Sequence, residues 1–243
     1  MITQKEISEI KRTPDNKLLE LFPQYTRKFM RDIKSGTLKN DRVLVLDIET
    51  SPIQSYTWGI WEQNISIDQI KHDWFVFCWS AKWLDSDKIL SDRLTGKEAR
   101  KMNDKRILKS MWELLDEADI VIAHNGDKFD IRKINTRFLK HGMNYPSPYK
   151  SFDTLKICKR EFGLTSNKLD YVCRFLGMEG KVETGGQKLW NECMLGDEKA
   201  LKKMSHYCDN DIKILEQVYL KLEPYIRNNP KSWNPRVSGL FRA

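Results

Sequence analysis

Short apolar runs alternate with longer amphipathic stretches along this chain. Val43 to Leu46 is an uninterrupted apolar run behind Asp41 and Arg42, which predicts a strand buried on both faces. A second run, Ile120 to Ala123, predicts another strand, and Phe129, Ile134, Phe138 and Leu139 follow it at helical spacing. Between the two, Trp74 to Trp79 and Lys88 to Ser91 read as strands, and Asp104 to Leu115 as a helix carrying Ile107, Leu108, Met111, Trp112 and Leu115. The last periodic stretch, about Glu198 to Leu222, sets Leu201, Met204, Cys208, Ile212, Leu215 and Val218 on the buried side of an amphipathic helix. The pattern predicts an α/β fold with a central sheet and flanking helices.

Composition bounds this picture. A chain of 243 residues that is 40% hydrophobic can bury a sizeable core, enough for one α/β domain with extensions. The net charge is +8, from 42 basic and 34 acidic side chains. Residues 1 to 42 hold 10 basic and 6 acidic groups and residues 227 to 243 hold 4 basic and none acidic, so the core between them is balanced at 28 against 28. The reading is therefore a basic helical N-terminal extension over 1–41, a domain over 42–226 and a basic tail over 227–243. The basic flanks are candidates for gripping phosphate, or are simply solvated. Trp74 to Ala81, the longest strongly apolar stretch, is too short to span a bilayer, and the first residues show no signal-peptide pattern. A soluble, cytoplasmic protein without membrane partners is expected, in the host cytoplasm if viral. Five cysteines without a Cys-x-x-Cys spacing argue against a zinc ribbon and against a disulfide framework.

Chemistry enters with four acids in three motifs: Asp47 and Glu49 in Asp47-Ile48-Glu49-Thr50, Asp130 in Asn125-Gly126-Asp127-Lys128-Phe129-Asp130, and Asp211 in Tyr207-Cys208-Asp209-Asn210-Asp211. Asp47 and Glu49 are two apart at the carboxyl end of a strand, so they share a face where open α/β sheets bind ligands. Asp130 lies near a helix start, where the macrodipole favours a carboxylate. Tyr207 and Asp211 are four apart and stand one turn above each other on a helix. Hard divalent cations prefer such oxygen ligands. Converging carboxylates beside a phenol point to metal-dependent phosphodiester cleavage.

These three motifs resemble the exonuclease motifs of the DEDD superfamily, RNase H-like 3′-to-5′ exonucleases. The likeness covers roughly residues 42 to 225 and is strongest to the proofreading exonuclease domain of family B DNA polymerases and stand-alone phage-type relatives. Ile48 between the first acids, three residues between Asn125 and Phe129, and Tyr207-Cys208 ahead of Asp211 favour the branch that uses a tyrosine. Lys168 to Val172, running to Leu176-Gly177, is similar to the helix that precedes the last motif there. His206 lies five residues before Asp211, the spacing of the histidine used by the other branch. His206 and Tyr207 differ by about 100° around a helix, so only one can face the metals, and the motif details favour Tyr207.

The resemblance implies an RNase H-like mixed central sheet flanked by helices, and two divalent cations, Mg²⁺ or Mn²⁺. Asp47, Glu49 and Asp211 would hold one and Asp47 with Asp130 the other. A phenol with the ordinary tyrosine pKa near ~10 is suited to orienting water rather than deprotonating it. The implied substrate is nucleic acid, single-stranded or frayed DNA favoured over RNA, shortened from the 3′ end as nucleoside 5′-monophosphates. A polymerase or replication protein would be a separate chain. Thr50, Asn125, Phe129, Trp58 and Trp61 are candidate substrate contacts, although Trp58 and Trp61 can equally close the core, Phe129 can be structural and Asn125 can cap a turn. Asp153 reads as an N-cap, and Asp127 and Asp209 as solvent-facing. The alternatives are an exoribonuclease and a catalytically silent nucleic-acid-binding module.

Overall fold

The computed structural model describes residues 4–23, 30, 33–34, 42–84, 86–178, 180 and 185–228. Its centre is a mixed five-stranded sheet. Strand β1 (Val43–Thr50) is followed by a small two-stranded sheet, β2 (Gln54–Ser55) with β3 (Ile70–His72), then by β4 (Val76–Trp83), β5 (Ile89–Arg93), β6 (Ile120–Ala123) and β7 (Lys150–Asp153). The order across the main sheet is β5-β4-β1-β6-β7, with β1 in the middle. It runs antiparallel to β4, opposing Asp47 to Ser80 and Glu49 to Cys78, and parallel to β6 only from Val43 opposite Ile120 to Val45 opposite Ile122. The acid-bearing half of β1 therefore extends beyond β6.

Helices cover both faces. The N-terminal segment contributes α1 (Gln4–Arg12) and α2 (Leu18–Leu21), and the sheet is flanked by α3 (Gly96–Arg100), α4 (Lys105–Glu117), α5 (Asp130–Lys140), α6 (Thr154–Glu161), α7 (Leu169–Phe175), α8 (Gln187–Met194) and α9 (Glu198–Asn228). Alternation along β1 divides the core. Leu44, Leu46 and Ile48 pack with Ile107, Leu108, Met111, Ile134 and Phe138 of α4 and α5. Val43 and Val45 pack with Ile157 of α6, Val172 of α7 and Ile212, Leu215 and Val218 of α9. This is the α/β arrangement the apolar periodicity predicts. The N-terminal extension is helical over α1 and α2 and has a cluster of its own, Ile10, Leu18, Phe22 and Met30. Residues 229–243 of the basic tail lie outside the described residues.

Element edges differ from the sequence expectation for definite reasons. Strand β4 starts at Val76 rather than Trp74 because the preceding backbone is committed elsewhere. Trp74 O accepts from Arg137 Nη1 at 3.0 Å, and Phe75 exchanges bonds with Ser51. It runs on to Trp83, despite polar Ser80 and Lys82, because β1 supplies partners as far as Leu44. Helix α9 passes through Pro224 to Asn228, past the expected Leu222. Edge contact of Tyr225 with Phe162 at 5.2 Å and burial of Ile226 hold that last turn against the loss of one helix bond. Leu139 is 82% exposed, since it sits about 100° around α5 from buried Phe138.

Asp104 precedes α4 without capping it. Its fully buried carboxylate instead accepts from Arg137 Nε and Nη2, both at 2.7 Å, from Val76 N at 2.9 Å and from His141 Nε2 at 2.6 Å. Both members of the pair are buried, so the fork is satisfied only while α5, α4 and β4 keep their places. Removing one partner from such a pair leaves an uncompensated buried charge, at a cost of about 3–5 kcal/mol. Arg137→Met is expected to lower the unfolding free energy by about that amount, read from the urea midpoint; an unaltered midpoint would show that the pair does not hold α5.

Candidate active site

The carboxyl half of β1 carries Asp47 and Glu49 on the Val45 face, where α9 crosses the sheet. Carboxylate oxygens of Asp47, Glu49 and Asp211 lie within 4.8 Å of one another, Asp211 buried and the other two half-buried. At that limit two full charges repel by roughly 3 kcal/mol at an effective dielectric near 20. Three carboxylates at such spacing are a set of hard donors suited to a divalent cation.

Asp130 reaches the same strand from the other side. It is the first residue of α5 and is 2% exposed, and its Oδ1 accepts from Ile48 N at 3.2 Å. The edge of β1 that β6 would have paired is thus capped by a side chain. The turn between β6 and α5 explains how the acid gets there. Asn125 adopts a left-handed φ of 67°, its N–H donates to Asp153 Oδ1 at 2.9 Å, and its carbonyl accepts from Lys128 N and Phe129 N. Asn125 therefore supports the turn through its backbone. Gly126 is required next to it, because a Cβ there would stand 2.4 Å from the Ala123 Cβ.

Tyr207 is half-buried against the core, whereas the neighbouring His206 side chain is 68% exposed with Nδ1 3.9 Å from Asp209 Oδ2. The two are pointed apart, as their spacing on the helix demands. Between them and Asp211, Cys208 is fully buried, and its thiol donates to Asp47 Oδ2 at 3.2 Å. Burial, a hydrogen bond with Cys78 and the negative charge of Asp47 push the Cys208 thiol well above the usual range. It is a neutral support for the first acid. Its only mark in the sequence is a small apolar residue on the core side of the helix.

The remaining candidates divide by exposure. Trp58 is 99% exposed and Trp61 81%, so the reading in which they close the core is excluded; both lie on the connection between β2 and β3, with Tyr56. Phe129 stands at the α5 N-terminus and is partly exposed. Thr50 is buried, its carbonyl accepting from Trp190 Nε1 at 3.2 Å and its hydroxyl from Lys133 Nζ at 3.2 Å. Asp153 caps α6, accepting from Leu155 N and Lys156 N. Asp127 and Asp209 do not face solvent freely as the sequence suggested. Lys156 Nζ lies 2.5 Å from Asp127, and Ser80 Oγ donates to Asp209 at 2.6 Å, because each acid sits over a polar residue of a neighbouring element. Arg137 and Lys133 escaped sequence reading altogether. The signal for Arg137 was a charge at a core-face position beside Ile134 and Phe138.

A family model for the RNase H superfamily matches residues 71–223, which include Asp130 and Asp211 but begin after β1. The chain is 29% identical over 128 residues to the PolC-type DNA polymerase III of Ureaplasma parvum serovar 3, covering 53% of this chain and 9% of that protein. It thus spans about a tenth of the length of that curated relative. Among solved structures it is similar to the family B DNA polymerase of the hyperthermophilic archaeon Pyrobaculum calidifontis, with a TM-score of 0.58 and 15% identity, over 80% of this chain and 27% of that one. At that identity the likeness concerns the fold. Among the described residues no helix is long and apolar enough to cross a membrane.

All five cysteines are buried, and none is in a disulfide. Burial raises Cys158 to about 11 and Cys193 to about 12. Thiolate, not thiol, is the reactive form. The folded protein is therefore expected to resist a disulfide reagent at neutral pH and to titrate all five thiols only in denaturant; rapid labelling of the folded chain would contradict this burial.

Proposed function

Since the chain belongs to the RNase H superfamily, we propose that it is a metal-dependent 3′-to-5′ exonuclease that shortens single-stranded or frayed DNA ends and releases nucleoside 5′-monophosphates. The observation that carries this reading is the meeting of Asp47, Glu49 and Asp211 within 4.8 Å at the end of the central strand. The relatives named above are DNA polymerases, which supports nucleic acid as the substrate and a replication protein as a partner.

Asp47, Glu49 and Asp211 offer only hard carboxylate oxygens, a set suited to Mg²⁺ or Mn²⁺. Asp47, Glu49 and Asp211 would hold one ion and Asp47 with Asp130 the other. When bound, the ions supply a more acidic attacking water and charge stabilisation at the leaving 3′ oxygen. The chain's own groups then have separable tasks. Asp130, whose Oδ1 accepts from Ile48 N at the edge of β1, would contribute to holding the second ion. Tyr207, wedged against the core one turn before Asp211, orients the attacking water through its phenol. Cys208 steadies Asp47. The exposed rings of Tyr56, Trp58 and Trp61 are platforms on which unpaired bases can stack.

The decisive experiment is a time course with 5′-labelled DNA and RNA oligonucleotides of one sequence, in Mg²⁺, in Mn²⁺ and in chelator. A metal-dependent ladder receding from the 3′ end is expected, faster on DNA and absent for Asp47→Ala and Asp211→Ala. Faster loss of RNA would make the chain an exoribonuclease, and intact substrate in every lane would make it a binding module. Tyr207→Phe is expected to slow cleavage by roughly 10- to 10³-fold, with His206→Ala close to the unaltered rate. The reverse pattern would transfer the water-orienting role to the histidine.

A further inference from the structure

Among the described residues, Lys133 is a cation that the fold brings to the acid-bearing end of β1 without its having been marked in the sequence. It stands three residues after Asp130 on α5, so the two side chains leave neighbouring turns of one helix face. Both meet β1. Asp130 takes the Ile48 N–H and Lys133 Nζ donates to the hydroxyl of Thr50, two residues farther along the strand. The ammonium is therefore set just beyond the acid pair, on the side where the strand leaves the sheet.

Its surroundings are unusual for a lysine. Nζ lies 3.9 Å from the centre of the Trp74 ring and 5.0 Å from that of Phe129. The side chain is half-buried between them, and burial draws its pKa below the ordinary lysine value, against the opposing attraction of Asp73 and Asp130. An ammonium has three donors. One is used on Thr50, and among the described residues the other two have no protein acceptor. Two aromatic walls and a hydroxyl hold the charge in one place while leaving those donors for something outside the protein. That is the geometry of a fixed anion contact, not of a solvated surface lysine, which gains nothing from losing water and rotamer freedom.

We propose that Lys133 binds a phosphate of the substrate strand, donating to a non-bridging oxygen of a phosphodiester as the 3′ end enters the acidic site. The inference rests on the nucleic-acid reading above and extends it. An acidic centre repels a polyanion, and one cation placed beside it offsets that repulsion where the backbone must pass. The Phe129 ring, centred 5.0 Å from Nζ, keeps the ammonium partly dry, which strengthens a charge-assisted bond.

The test measures binding apart from cleavage. Anisotropy of a 5′-labelled oligothymidylate is followed in Ca²⁺ across a range of salt for the unaltered protein, Lys133→Met and Lys133→Arg, with thermal midpoints of all three. Lys133→Met is expected to weaken binding about tenfold near 0.1 M salt and to reduce the slope of log K against log salt by about 0.7, as for one lost contact to a single strand. Lys133→Arg is expected to restore the slope. A lysine that only packs on Trp74 would lower the thermal midpoint of the Met variant and leave the slope unchanged, and that result overturns the proposal. If the unaltered protein shortens oligonucleotides while the Met variant keeps its slope, the exonuclease stands and the lysine contact falls. If the unaltered protein neither binds nor cleaves, both fall.

Discussion

The structure around the candidate site depends on one mismatch of lengths: β1 continues to Thr50, while its parallel neighbour β6 accompanies it only as far as Val45. Backbone donors on that edge must find other partners, since an unpaired buried N–H is costly. The Ile48 N–H finds the Asp130 carboxylate. A side chain thereby replaces a strand, and an acid from α5 is delivered to the edge of the strand that carries Asp47 and Glu49. Had β6 been three residues longer, its backbone would have filled that edge and no acid could have reached it.

The arrangement holds only if α5 is fixed along its length. Its N-terminus is tied by Asp130 and by the Asn125-Gly126 turn; seven residues later Arg137 is clamped in the buried fork of Asp104. Asp104 also holds the first N–H of β4. One ionic centre thus relates α5, α4 and the strand that pairs with β1 on its other edge. The charged groups of the site are positioned by charged groups of the core, some distance along the same helix. On the opposite side, α9 contributes Asp211 and Cys208 from one amphipathic face, so the acid and the thiol that supports Asp47 are set by a single helix register.

The β2 and β3 connection stands apart from this rigid frame. It exposes Tyr56, Trp58 and Trp61, together with Ile60 and Ile67, whereas the acids of the site are half-buried or buried. Apolar surface of that extent on a short excursion is costly unless something covers it. Under the proposed function, rings that stack on bases would give the excursion a use, and the half-buried Lys133 would give the substrate's phosphates a charge to meet.

The core strands and the pairing of the motif acids are legible from residue spacing alone. Uninterrupted apolar runs predict β1 and β6 because buried strands have no polar alternation, and period-two and period-four spacings place Asp47 with Glu49 and Tyr207 with Asp211, since both rules follow from backbone geometry alone. The exposure of His206 against the half-burial of Tyr207 also follows from helix spacing once one of them faces the core. Contacts between distant elements set how far β4 and α9 extend, put Trp58 and Trp61 outside the core, give Asp104 to a buried arginine instead of a helix cap, bring Lys133 to the acid-bearing strand and set Cys208 against Asp47. Periodicity reports which way a side chain leaves its own element. It carries no information about which residue of another element, tens of positions away, occupies the space there, and these partners are 83 and 161 residues from the strand they serve.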